Sequence, residues 1–374
     1  MALVIYNPVS GDSTAGAFFS EHVLPLLHQH DISIAPVLET RKEGEAGSVA
    51  SEHFERTQGP LDIILGSGDG TLHEVISAIS LPNLKTPSRI PARINFVLVP
   101  CGTANALFSS LFPVATGEDP TEYKLKGIYA YLRRSSSIPL TLAISSILPP
   151  PRNNEVRTPQ KNAISAVVAS TALHASILHD SESLRAELPS IDRFKVAARN
   201  NITRWYKSFA KLLPSQSSGL VEIYDPTLSS FVPHPRSIPG DPIVDLDGPF
   251  TYFLSTVNVD RLEPLFRITP LVSSYPRAGA FMDIVIIRPL RDPSVCIDSP
   301  ETRAAFAAKL GAVLTAAYRD GDHVNLRYDS SGNITSEGDG ATVVEYFRCG
   351  GWEWEPVCLT IETQRSNINC IVTG

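Results

Sequence analysis

Long hydrophobic runs are missing from this sequence. No apolar stretch approaches the roughly 20 residues that a membrane-spanning helix needs, so none is expected. Basic runs are missing as well. Arg133-Arg134 is an isolated pair, and a formal net charge of -7 gives no electrostatic case for nucleic acid. Cysteine is sparse: Cys101, Cys296, Cys349, Cys358 and Cys370 are scattered and lack paired metal spacing. No charged stretch precedes the opening apolar run Leu3-Val4-Ile5-Tyr6, which predicts no secretory signal. A cytoplasmic setting is the expectation, and the two Asn-x-Thr matches at Asn201 and Asn333 then read as chance. Neither an internal repeat nor a sustained heptad is present.

What is there suits a two-domain globular protein. The chain has 374 residues, 43% hydrophobic and 19% charged. Its organising stretch runs from Leu61 to Val75. Leu61-Asp62-Ile63-Ile64-Leu65 is short, apolar and bounded by turn residues, as a buried strand is. Gly66-Ser67-Gly68-Asp69-Gly70 follows, and then Thr71-Leu72-His73-Glu74-Val75 opens a helix with capping-box spacing between Thr71 and Glu74. Glycines let another molecule approach the backbone, and a helix N-terminus suits a phosphate. A carboxylate in such a turn, Asp69, asks for a metal or a proton-transfer role.

Strand and helix alternate around this centre. Ala15 to His28 and Glu45 to Arg56 predict helices; Ile32 to Leu38 and Ile94 to Val99 predict strands. Two further polar turns, Asn7-Pro8-Val9-Ser10-Gly11 and Pro100-Cys101-Gly102-Thr103-Ala104-Asn105, also follow strands. Such alternation implies a parallel sheet whose ligands bind beyond the carboxyl ends of its strands. The three turns are therefore expected to converge. After Tyr131 the texture changes. Ile138–Ile147, Ala163–Thr171, Gly219–Tyr224, Phe250–Val257 and Met282–Ile287 read as strands. Helical signal is confined to about Ser183–Leu212 and Pro300–Tyr318. Pro149 to Lys161 and Leu213 to Pro249 read as proline-containing loops. The fold class expected is α/β: a doubly wound parallel-sheet nucleotide domain, 1–135, then a mainly antiparallel, sandwich-like domain, 136–374.

The three turns, taken together and in order, resemble the diacylglycerol kinase catalytic family, close to its sphingosine kinase branch. The resemblance is strong over about residues 1–112 and fainter beyond. It implies an enzyme: a kinase that uses ATP with Mg²⁺ and phosphorylates a lipid hydroxyl in a cleft between the two domains. The lipid partner implies transient membrane contact, peripheral to a cytoplasmic location. Carried onto matching positions, Asp69 becomes the general base. Asn7, Ser10, Gly11, Thr40, Gly66, Ser67, Gly68, Gly70, Thr71, Glu74, Gly102, Thr103 and Asn105 line the nucleotide. Arg185 and Arg193 become candidates for the phosphates, against the reading of Glu182 and Arg185 as a surface ion pair. Ser176, Asp180 and Glu182 fall where the lipid headgroup is held.

The chain also departs from that pattern. Ser176 and Leu178 stand where the sphingosine branch has aspartates, which disfavours a cationic sphingoid amine. The family's late Asp-Gly-Glu segment is nearest matched by Ile361-Glu362-Thr363-Gln364, leaving Glu362 as the candidate metal ligand. Asp12 replaces a basic residue after the first turn. Two alternatives stay open: a catalytically weak, nucleotide-binding relative with a regulatory role, and an NAD kinase-like enzyme of a soluble substrate. His174 and His179 read as packed or surface histidines, and Trp352 and Trp354 as core or an aromatic lip.

Overall fold

The computed structural model describes residues 1–57, 59–85, 93–148, 160–188, 190, 192–275, 279–355 and 359–372. Cys358 and most of the loop expected from Pro149 to Lys161 lie outside them. The chain begins with β1 (Leu3–Tyr6), then α1 (Ala15–Phe18) and α2 (Leu24–Gln29) joined by a π-helical turn, Phe19–Val23. β2 (Leu38–Glu39), α3 (Glu45–Arg56), β3 (Leu61–Ser67), α4 (Asp69–Lys85), β4 (Ile94–Pro100), α5 (Ala106–Leu111) and α6 (Pro120–Leu132) follow. The strands pair in the order β2-β1-β3-β4, all parallel. β3 and β4 are almost wholly buried, which is why both read as unbroken apolar runs rather than alternating ones. β2 is shorter than Ile32–Leu38 predicted; Ile34 makes only an isolated bridge to Ala2.

Beyond residue 135 come β5 (Ser137–Ile147), β6 (Lys161–Ser165), β7 (Val168–Thr171), α7 (Ala172–Ser183), α8 (Asp192–Asn201), β8 (Phe209–Leu213) and β9 (Glu222–Asp225). β10 (Ser230–Pro233), β11 (Val244–Asp247), β12 (Tyr252–Thr256), α9 (Leu271–Ser274), β13 (Met282–Ile287) and α10 (Pro300–Ala317) continue the chain. It closes with β14 (Arg327–Tyr328), β15 (Ile334–Thr335), β16 (Glu345–Cys349), β17 (Gly351–Glu355) and β18 (Leu359–Ile371). Helix α7 starts before the Ser183 boundary read from sequence; β9 falls on the expected strand Gly219–Tyr224, but the rest of the stretch read as loop from Leu213 to Pro249 also holds β10 and β11. Their short runs and flanking prolines hide the period-2 pattern.

β7, β12, β13, β16, β9 and β10 form an antiparallel six-stranded sheet. One face packs against α10, through Leu254, Val285 and Tyr346 against Phe306 and Leu310. The other face packs Phe253, Met282, Ile284 and Phe347 against Trp352, Trp354 and Ile361. Those last three stand on β17 and β18, so the two tryptophans are sandwich core, 0% and 6% exposed. β18 is the hinge of the topology. It runs parallel beside β4 and antiparallel beside β5 and β17, so the parallel and antiparallel parts share one ten-stranded sheet. The fold is thus mixed α/β, with a parallel N-terminal part followed by a mainly antiparallel, sandwich-like part.

Candidate active site

Register brings the three turns together. Tyr6 pairs with Gly66, and Ser67 with Pro100, so the carboxyl ends of β1, β3 and β4 lie side by side. Backbone bonds continue the pairing outward, from Asn7 N–H to Gly66 O and from Cys101 N–H to Ser67 O. The turns then touch. A Cβ built on Gly11, whose φ is +59°, would stand 2.5 Å from the Cys101 carbonyl oxygen. One built on Gly102 would stand 2.3 Å from the Gly68 Cα. Only glycine permits both approaches. Asn105, at φ 53°, accepts from Gly102 N–H and donates to Gly102 O, both at 2.8 Å, and so closes the third turn.

Asp69 sits at the centre. It is the first residue of α4, not a loop residue ahead of a Thr71 cap. Leu72 N–H reaches back to Gly68 O, so the helix begins three residues earlier than the capping-box spacing suggested. Thr71 instead shares a hydrogen bond with Ser67 Oγ, and Glu74 accepts from Gly47 N–H at 2.8 Å, tying α4 to α3. The Asp69 carboxylate leaves its own helix. Its oxygens accept from Ala106 N–H at 2.7 Å and Leu107 N–H at 3.1 Å, capping α5 from across the turn. Burial pushes its pKa up, against the pull of those two amides. A hollow of about 10 Å³, lined in part by Ser67, Gly68, Asp69 and Asn105, lies beside it.

Around this centre, Asn7 Oδ1 accepts from Val9 N–H and Ser10 N–H donates to Asn7 O. Thr40 is buried at the end of β2, its N–H bonded to Tyr6 O, next to the first turn. Gly70 faces open space. Cys101 is a buried thiol, pushed up to about 11 by desolvation, as a small packed side chain would be.

The other site candidates lie on the α7–α8 hairpin. Ser176 Oγ and Tyr206 Oη lie 2.7 Å apart, and Asp180 accepts from Asn201 Nδ2. Glu182 and Arg185 form an exposed ion pair. The buried Arg193 guanidinium lies 4.4 Å from the Phe194 ring centroid and donates to Ser190 O. Nearby, His174 packs against Ser170 and burial pushes it down to about 4. Glu362 is further off. It precedes Ile368 on β18, and Ile368 stands beside Ile94 at the amino end of β4, opposite the end that carries the turns. Among the described residues, no group of three or more His, Cys, Asp or Glu side chains is placed to hold a metal ion.

Sequence reasoning missed how the second part of the chain leans on the helices leaving the turns. Ser77 of α4 donates to Ile164 O on β6, and Ser110 of α5 accepts from Asp260 N–H. Asp260 is itself held by Arg261 and Arg267. No local pattern marks such contacts, because the partners are 87 and 150 residues apart.

The fold is an α/β architecture with three glycine turns at one edge of its parallel strands and an antiparallel second part. Residues 1–130 match the Diacylglycerol kinase catalytic domain, about a third of the chain. Over 124 residues the chain is 33% identical to human Sphingosine kinase 1, covering 33% of this chain and 30% of that protein. Over 113 residues it is 34% identical to mitochondrial Acylglycerol kinase of Xenopus laevis, covering 30% of this chain and 24% of that protein. The chain thus spans less than a third of the length of these relatives. A putative diacylglycerol kinase from Bacillus anthracis str. Sterne is similar in fold over 100% of this chain and 95% of its own. Its TM-score is 0.55 and its sequence identity 13%.

Proposed function

We propose that this protein is an ATP-dependent lipid kinase that transfers a γ-phosphate to a lipid hydroxyl. One observation carries the reading: three glycine turns meet at the carboxyl ends of adjacent parallel strands, around one buried carboxylate. Phosphoryl transfer needs positioning and charge stabilisation more than covalent help. The residues present suit a nucleotide: backbone at Gly11, Gly68 and Gly102 where a Cβ would intrude, and the N-terminus of the 17-residue α4. ATP supplies the phosphoryl group. Asp69 takes the proton of the attacking hydroxyl at a carboxylate oxygen whose orientation the Ala106 and Leu107 amides fix. Its raised pKa makes it a better base.

Mg²⁺ is the ion such a reaction uses, but among the described residues no His, Cys, Asp or Glu cluster is placed to hold it. Glu362 stands at the far end of β4, and both Asp69 oxygens already hold amides. The acceptor is assigned to the α7–α8 side, with Ser176, Asp180 and Glu182 near the headgroup. The Ser176–Tyr206 hydroxyl pair favours a neutral alcohol, of diacylglycerol or ceramide type, over a sphingoid amine. Lipid access implies brief, peripheral membrane contact; among the described residues no helix is long and apolar enough to cross a membrane.

Radiolabelled ATP offered with diacylglycerol, ceramide and sphingoid bases tests the reading. Asp69→Asn is expected to keep ATP binding and to lose at least ~100-fold in lipid phosphorylation. Equal product from parent and variant would show that Asp69 is not the base. The second reading, a weakly catalytic regulatory relative, is favoured by the altered late segment Ile361-Glu362-Thr363-Gln364, where an amide stands in place of one acid. Clear ATP binding with no product from any lipid selects it. Product with NAD instead selects a soluble-substrate kinase.

A further inference from the structure

A cavity of about 300 Å³ opens where the ten-stranded sheet meets the end of the six-stranded one. It is not the nucleotide site. Pro139 on its rim pairs with Asn369, and Asn369 with Asn95, near the start of β4. The glycine turns lie past the other end of that strand, on the order of 20 Å away. Leu140, Val257, Val272 and Phe281 make its apolar walls.

The polar groups deeper in are already engaged. Asp283 is bonded to Arg348 and Tyr346, Thr256 donates to Thr269, and Asn258 spends its amide on Thr141 and Ala166. The interior therefore offers a chain little to hydrogen-bond. The rim differs. Arg365 lines the cavity, is exposed, and forms no ion pair among the described residues. A free guanidinium beside an apolar hollow is complementary to a molecule with one apolar tail and one anionic head. The volume sits at the small end of the roughly 300–1,000 Å³ range of small-molecule sites, which suits one chain rather than two.

We propose that this cavity binds a single-chain amphipathic anion, with its chain between the sheets and its carboxylate or phosphate on Arg365. The site goes beyond the kinase reading and stands without it. The test is calorimetric titration of the full chain with alkyl carboxylates and monoalkyl phosphates of eight to twelve carbons. All are kept below their micelle concentrations, with alcohols of the same length as controls. Each added methylene is expected to tighten binding about four-fold until the cavity is full. Saturating ATP should leave that binding unchanged. Stronger binding of the carboxylates would identify a fatty-acid-type head, and of the phosphates a phosphate head.

Arg365→Gln should remove the preference for anion over alcohol. Val272→Trp, which fills the hollow, should abolish binding while leaving the thermal midpoint and ATP affinity near the parent's. No binding, affinity independent of chain length, or affinity unchanged in both variants would overturn the site. If Val272→Trp loses binding but Arg365→Gln keeps its preference, the anionic head is wrong.

Discussion

Asp69 serves both the architecture and the proposed chemistry, and its titration should report both. An aspartate in an unfolded chain titrates near ~3.9. Burial holds Asp69 above that value in the fold. A raised carboxylate favours the folded state below the unfolded value, and that contribution is lost as pH rises through the folded one. Asp69→Asn cannot titrate. The parent's thermal midpoint, measured against the variant's, should therefore fall as pH climbs from about 4. A difference that stays flat with pH would mean that Asp69 is not perturbed. Gly102 makes a second prediction. A methyl group there meets the Gly68 Cα, so Gly102→Ala must push the turns apart. A cost of about 1–3 kcal/mol in stability is expected, with weakened ATP binding by titration calorimetry.

Helices α4 and α5 link chemistry to packing. α4 starts on Asp69 and lies along β6; α5 is capped by Asp69 and holds Asp260. Asn258 completes this joint. At φ 63°, it bonds both backbone groups of Thr141 on β5 and the carbonyl of Ala166. Asn tolerates that left-handed conformation better than alanine does. Asn258→Ala gives up three hydrogen bonds, and an expected loss of about 3 kcal/mol should appear as a lower urea midpoint at unchanged slope. Capping was only partly legible in the sequence. Asp119 and Ser299 cap α6 and α10 locally, each followed by a proline, as helix starts prefer. The Thr71–Glu74 pair had the same local look, yet neither residue caps α4: Ser67 at the end of β3 holds the Thr71 hydroxyl, and Gly47 on α3 claims Glu74.

β18 makes the parallel and antiparallel parts one cooperative unit. It supplies pairing to β4, β5 and β17 and core residues to both. Calorimetry should show one unfolding transition rather than two. A chain stopped at residue 358 should lose structure in both parts, seen as loss of amide protection in β3 and β4 as well as in β17. Protection retained in β3 and β4 would show that the parallel part stands alone.

The sequence by itself determined the parallel strands and the three turns, because apolar runs and glycines act over a few residues. It also placed Asp69 among the glycines. Tertiary structure decided what that carboxylate touches, which strand joins the two parts, and where Glu362 stands relative to the turns. Those outcomes depend on register and on partners many residues apart, and no short-range pattern encodes either.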